Sequence, residues 1–159
     1  MRRANREIKE KEGVVEVLEA ADTCRVGMYA DGEVYIVPLS FGYEFAGDGE
    51  LALYFHCAGE GRKLDMIARN PEVCFEMDTS HRFVPSMDSD ACGSTMKYAS
   101  LIGWGRIGVV AERDEKLAAL TKIMEHFTKG ESFTFNEEVL GRTTVLRLTT
   151  RNYTAKSNI

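Results

Sequence analysis

Residues 24–45, CRVGMYADGEVYIVPLSFGYEF, decide what kind of fold the chain can form. Apolar and aromatic residues fill both arms of this run, and Asp31-Gly32 between them is a strong short-range signal for an antiparallel hairpin. A second turn, Gly47-Asp48-Gly49, leads into LALYFHC at 51–57, so three consecutive antiparallel strands are predicted between Cys24 and Cys57. EVCFEMDTSHRFV (72–84) alternates again, Pro85 to Gly93 reads as a polar loop, and TTVLRLTTRNYTA (143–155) predicts a final strand. MKYASLIGWGRIGVVAE (96–112) is too long, and too broken by Gly103, Gly105 and Gly108, for one flat strand; it predicts bulges or a barrel corner.

Helical spacing occurs in three places. Lys9 to Ala21 puts Val14, Val17, Leu18 and Ala21 on one face, with Gly13 weakening the first turn. Gly61 to Asn70 spaces Leu64 and Ile67 for a helix that Asn70-Pro71 closes, because a residue before proline avoids the α region. Asp114 is the expected N-cap of a third helix with Leu117, Leu120, Ile123, Met124 and Phe127 as an apolar stripe, and Gly130 stands where it would stop. About six strands interrupted by a few helices, rather than alternating with them, predict a mainly β chain with flanking helices, an antiparallel barrel rather than a parallel α/β sheet.

At 159 residues and 44% hydrophobic composition the chain is long enough for one domain, 1–159, with a core of its own. A formal net charge of −5 gives no broad positive field for nucleic acid, although a local basic pocket stays open. The N-terminus MRRANREIKEKEG has no apolar core of a signal peptide, and no stretch reaches membrane-spanning length. Cys24, Cys57, Cys74 and Cys92 never form Cys-x-x-Cys, and the expectation is four reduced thiols in a cytoplasmic protein.

The chemistry concentrates in YFHCAGEGRKLDMI at 54–67. A helix N-terminus offers unpaired amides and partial positive charge, and Arg62 and Lys63 at that position suit a phosphate group, with Gly59 and Gly61 letting the backbone come close. The P-loop pattern is absent, since Lys63 is followed by Leu64 instead of a hydroxyl residue. The plainer alternative is a pair of solvated surface cations. In VYIVPLSFGYE, Pro38 cannot donate to a ladder and sits beside Ser40 and Gly42, a place for a flat ligand against exposed backbone, or simply an edge strand with a proline.

Taken in order, PLSFGYE, LYFHCAGEGRKLDMIARNPEVCFEMD, YASLIGWGRI and the helix opening DEKLAAL resemble the Nim-type nitroimidazole-resistance branch of the pyridoxamine 5'-phosphate oxidase-like flavoproteins, from roughly Ile8 to Phe127. That resemblance implies a Greek-key-like split β-barrel homodimer with FMN at the subunit interface. Arg62 and Lys63 would then hold the phosphate. Val37, Pro38, Leu39, Ser40 and Phe41 would lie along the isoalloxazine and supply backbone hydrogen bonds. His56, Cys57 and Ala58 would approach the phosphate, ribityl chain or ring, and the partner's segment from Ser100 to Trp104 would reach the flavin across the interface. FAD is the larger alternative to FMN. The oxidases proper carry additional arginine and histidine residues near the C-terminus; RNYTAKSNI lacks them and does not point to vitamin B6 oxidation.

His56 is the candidate proton donor, because imidazole titrates near working pH; the alternative is a histidine that only orients the cofactor. His81 and His126 have no cluster of carboxylates or cysteines at ligand spacing, and Asp88-Ser89-Asp90 is too short for a calcium loop, so no metal is expected. Trp104 reads equally as core or interface packing. No Gly-x-Gly-x-x-Gly fingerprint occurs, so NAD(P)H would be a transient electron donor. Two function classes fit: a flavin-dependent reductase of nitroaromatic or related small acceptors, and a non-catalytic flavin-binding sensor, store or carrier. A homodimer follows from the family's interface site and from apolar strands such as TTVLRLT.

Overall fold

A computed structural model describes residues 3–88, 90–128 and 132–158. Among these described residues eight strands, β1 (Glu7–Ile8), β2 (Cys24–Ala30), β3 (Glu33–Leu39), β4 (Gly42–Phe45), β5 (Leu51–Ala58), β6 (Glu72–Val84), β7 (Thr95–Val109) and β8 (Thr143–Ser157), form one antiparallel sheet. Flanking it, among the same residues, are four α-helices: α1 (Lys11–Ala20), α2 (Arg62–Arg69), α3 (Arg113–Phe127) and α4 (Glu137–Arg142). Across the sheet the order is β3-β2-β6-β7-β8-β5-β4, and β1 adds to β8.

The Asp31-Gly32 turn forms as expected. Its two residues have φ of 52° and 83°, the left-handed pair that a two-residue hairpin needs, and β2 pairs with β3 from Cys24↔Leu39 to Ala30↔Glu33. The rest of the 33–45 run departs from the three-strand expectation. It is two strands, broken at Ser40-Phe41, whose halves lie at opposite ends of the sheet. Because Leu39 and Gly42 are close in the chain, the two ends of the sheet must approach there. The sheet therefore curls into an antiparallel split barrel, with no ladder joining β3 to β4 among the described residues.

The break has a packing cause. Phe41 is fully buried, and a Cβ built on Gly42 would stand 2.4 Å from the Lys122 carbonyl carbon and the Ile123 nitrogen. The chain therefore dives under α3 at this point instead of continuing the hairpin. Gly42 does not share a ligand face with Pro38 and Ser40, as the single-strand reading had it. The long segment after the polar loop is one strand, β7, whose register against β8 shifts between Trp104 and Arg106, at the Gly105 bulge.

The barrel interior is filled by Leu18 of α1, Met28, Leu53, Phe55, Phe75, Met77, Leu101, Leu146 and Leu148, all fully or nearly fully buried. At roughly 1.5–3 kcal/mol for each large side chain taken from water, this cluster dominates the folding energy. The residues of TTVLRLT expected to face a partner are buried within the chain, Leu146 and Leu148 in this interior and Val145 under α3, because β8 is a central strand paired on both sides. A second apolar layer lies outside the barrel, where Ala119 and Ile123 of α3 cover Ala52, Tyr54 and Val145.

Asp114 is not the cap of α3. The helix begins at Arg113 with Glu112 in the cap position and no side-chain cap, and Asp114 lies in the first turn, where its charge still complements the helix dipole. Gly130, the expected stop, and Ser89 lie outside the described residues. Sequence periodicity missed α4, which is too short to show any; Asn136 caps it through Oδ1, accepting from the amides of Glu138 and Val139 at 3.0 and 3.1 Å. Among the described residues no helix is long and apolar enough to cross a membrane. All four cysteines carry free thiols.

Candidate functional site

The end of β5, the start of α2 and the edge strand β3 meet at one corner of the barrel. Gly61 caps α2 with φ of 132°, a value that side chains rarely tolerate, and no side chain caps the helix. Arg62 is its first residue. The guanidinium of Arg62 reaches across to β3, donating from Nη2 to Glu33 Oε2 at 2.8 Å and stacking over the Tyr35 ring at 4.7 Å from the centroid. Lys63 beside it is partly buried. Gly61, uncapped amides and two cations give a donor set of the kind that holds a phosphate.

On β3, Tyr35, Val37 and Leu39 turn toward the core, while Val34, Ile36 and Pro38 face outward. As an edge strand, β3 presents a row of backbone N–H and C=O groups not used by β2. Ser40 is exposed and Phe41 fully buried, so the reachable part of the predicted ring-binding stretch is Val37 to Ser40. Cys57 packs inward against the core, and Ala58 is exposed at the strand end before Gly59.

His56 points the other way. It stands on the outward face of β5 and opens into a cavity of about 270 Å³ walled by Leu120, Ile123 and Met124 of α3 and by Phe135, Val139 and Leu140 around α4. The polar atoms at the rim are largely engaged: Asn136 caps α4, and Thr143 Oγ1 donates to the Val139 carbonyl at 2.8 Å. Among the described residues His56 is the only titratable side chain lining this apolar cavity. Nothing in the sequence could have shown these walls, because α4 carries no periodic signal and its contact with His56 is long-range.

Trp104 and Ser100 share the outward side of β7, opposite Cys74 and Asp78 of β6. Ser100 is nearly buried, whereas Trp104 is 50% exposed and lines a shallow apolar cavity of about 520 Å³ with Gly27, Tyr29, Val34, Ile36 and Cys74. Arg25 sits at its border, bonding Asp78 at 2.6 Å and Glu76 at 3.1 Å. The structure thus brings Arg62, with Lys63 beside it, onto Glu33 and Tyr35 of the strand that carries Val37–Leu39, sets His56 in a separate apolar pocket, and puts Trp104 on an exposed apolar face. Glu33 and Tyr35, which hold Arg62, were not anticipated; strand alternation orients Tyr35, but no local pattern couples it to α2.

The sequence profile of the pyridoxamine 5'-phosphate oxidase family matches residues 10–157. No curated protein matches the chain. Among solved structures, a candidate 5-nitroimidazole antibiotic resistance protein from Bacteroides thetaiotaomicron is 30% identical, superimposes with a TM-score of 0.81, and is matched over 95% of this chain and 86% of its own. The flavocytochrome Anf3 from Azotobacter vinelandii shares 18% identity at a TM-score of 0.79, covering 100% of this chain and 72% of that one. The FAD and heme binding protein from Mycobacterium smegmatis shares 22% identity at 0.78, covering 96% and 73%.

Proposed function

Since the chain belongs to the pyridoxamine 5'-phosphate oxidase family, we propose that it binds a flavin, FMN with FAD as the larger alternative, and uses it to reduce nitroaromatic or related small acceptors. The observation that carries this reading is the Gly61-Arg62-Lys63 helix start, whose Arg62 contacts Glu33 and Tyr35 of the edge strand β3. A phosphate on the α2 amides and cations, with a flat ring along Val37 to Ser40, uses donors that the fold otherwise leaves pointing outward.

A bound flavin supplies two-electron reduction of a small acceptor. The chain's contribution is binding and orientation. Edge backbone groups of β3 fix the polar rim of the ring, while Arg62 and Lys63 fix the phosphate. The His56 cavity is apolar and separate from the cation corner, so its imidazole does not face a ring held along Val37 to Ser40, and the proton for the reduced acceptor comes from solvent. NAD(P)H serves as a transient electron donor in this scheme.

The homodimer belongs to the same proposal. Val34 and Ile36, 69% and 60% exposed, join Tyr29 and Trp104 in an apolar outward face beside the β3 edge. A two-fold contact through this face repeats every site and sets the partner's Trp104 near this chain's ring-binding strand. Exposed apolar patches of this kind mark association surfaces.

Stopped-flow reoxidation tests the catalytic part: a 5-nitroimidazole should reoxidise the pre-reduced protein, and His56→Ala, in its separate pocket, should leave flavin occupancy and that rate unchanged. A rate slowed by roughly 10²- to 10⁴-fold would bring His56 to the reacting acceptor. Absence of acceptor-dependent reoxidation in the unmodified protein would instead make it a flavin carrier or sensor.

A further inference from the structure

Glu33 and Tyr35 have no place in the scheme above, yet both touch the residue assigned to the phosphate. We infer that they are positioning residues which hold the Arg62 guanidinium ready for the flavin phosphate, an inference that rests on the flavin reading of this corner. An arginine at the first position of a surface helix ordinarily samples many rotamers, and each bond it makes to a ligand costs the ordering of a long side chain. Here that ordering is already done. The Tyr35 ring supports one face of the guanidinium at 4.7 Å, and Glu33 Oε2 takes a hydrogen bond from Nη2 at 2.8 Å.

The two supports come from one strand, and that strand also carries Val37 to Leu39 and leads into Ser40. Tyr35 is partly buried against the core, so its ring is a fixed platform, whereas Glu33 is exposed at the hairpin end. The Asp31-Gly32 turn sets where β3 starts and therefore where both supports stand. A second pair repeats the link one turn of the hairpin away, where Arg69 of α2 bonds Asp31 at 2.8 Å. The helix that would bind the phosphate is thus tied at its start to the strand that would bind the ring and at its end to the turn that opens that strand, which fixes the distance between the two halves of one ligand. Glu33 engages one Nη only, leaving the remaining guanidinium N–H groups for a phosphate.

The test uses equilibrium titration of the full chain with FMN and, separately, with riboflavin, which lacks the phosphate, each followed by flavin fluorescence. Glu33→Gln and Tyr35→Leu should each weaken FMN binding by roughly two- to fivefold, the effect of losing an exposed ion pair or a cation–π contact, and should leave riboflavin binding unchanged. Tyr35→Phe, which keeps the ring, should bind FMN like the unmodified protein. In an Arg62→Ala background both substitutions should have no further effect on FMN affinity. Equal losses for FMN and riboflavin, or losses that persist without Arg62, would overturn the inference. So would a Glu33→Gln variant that binds FMN more tightly, which would make the carboxylate a competitor of the phosphate. Failure of the unmodified chain to bind FMN would overturn the flavin reading itself and is distinguishable from all of these. Tyr35→Leu could disturb folding, but the solvent-facing Glu33→Gln keeps the question answerable.

Discussion

Gly42→Ala should loosen the helix that roofs the His56 cavity. The added Cβ would stand 2.4 Å from the Lys122 carbonyl carbon and the Ile123 nitrogen. Carbon and nitrogen atoms in ordinary contact lie about 3.5 Å apart, so α3 must lift by about 1 Å or β4 must sink by as much. Neither side can yield cheaply, since the obstacle is helix backbone, and β4 is laddered to β5 from Gly42↔Tyr54 to Phe45↔Leu51. Lifting α3 strains Ile123 and Ala119 on Ala52, Tyr54 and Val145, and also the His126 ring, which packs on Phe41 at 4.6 Å with Nε2 2.8 Å from the Ala21 carbonyl. Overpacking of this kind costs roughly 1–3 kcal/mol, which lowers the melting temperature of a chain this long by roughly 2–12 °C. Gly47→Ala is the control: its Cβ meets nothing within 4 Å, and it should be neutral or slightly stabilising. Calorimetry on the pair checks this. A Gly42→Ala variant that melts with the unmodified protein would refute the close approach of α3 and β4.

Two further outcomes follow from particular side chains. Burial, and then the hydrogen bond to Glu44, push the Tyr54 phenol from its ordinary 10.0 up to about 12. The folded state keeps this proton longer than the unfolded chain, so the stabilisation is whole below pH 10 and is lost as pH rises toward 12; Tyr54→Phe should flatten that alkaline decline in urea unfolding, and an unaltered decline would contradict the assignment. Ile36→Asp sets a charge on the apolar outward face and should convert a sedimenting dimer to monomer while leaving the fold intact by circular dichroism; a dimer unchanged by the substitution would move the interface elsewhere.

What the sequence made legible was local. Asp31-Gly32 announced its hairpin because a two-residue turn is set by the turn residues themselves, and the Arg62-Lys63 helix start followed from spacing and the Asn70-Pro71 stop. The split between β3 and β4 was not legible, because Ser40 and Phe41 fit a strand pattern and the cause of the break, α3 crossing over Gly42, lies far along the chain. Apolar content at 143–149 suggested a partner surface, yet a central strand buried on both faces has the same composition as an interface strand. The residues that do expose apolar surface, Ile36 and Trp104, sit in strands that alternate normally. For the site, family resemblance proposed the cations and the strand for the ring. It could not reveal that Glu33 and Tyr35 grip Arg62, or that His56 opens toward α3 and α4 rather than toward the cations.

The most direct test of the central claim is the FMN affinity of the unmodified chain against Arg62→Ala/Lys63→Ala, measured by quenching of flavin fluorescence at fixed salt. Charge-assisted contacts to phosphate are worth roughly 1.5–3 kcal/mol each, and with Arg62 half-exposed the lower figure applies. Losing two of them should weaken binding by a factor on the order of a hundred, with riboflavin affinity unchanged. Equal FMN affinity in the two proteins would mean that the start of α2 does not hold the flavin phosphate.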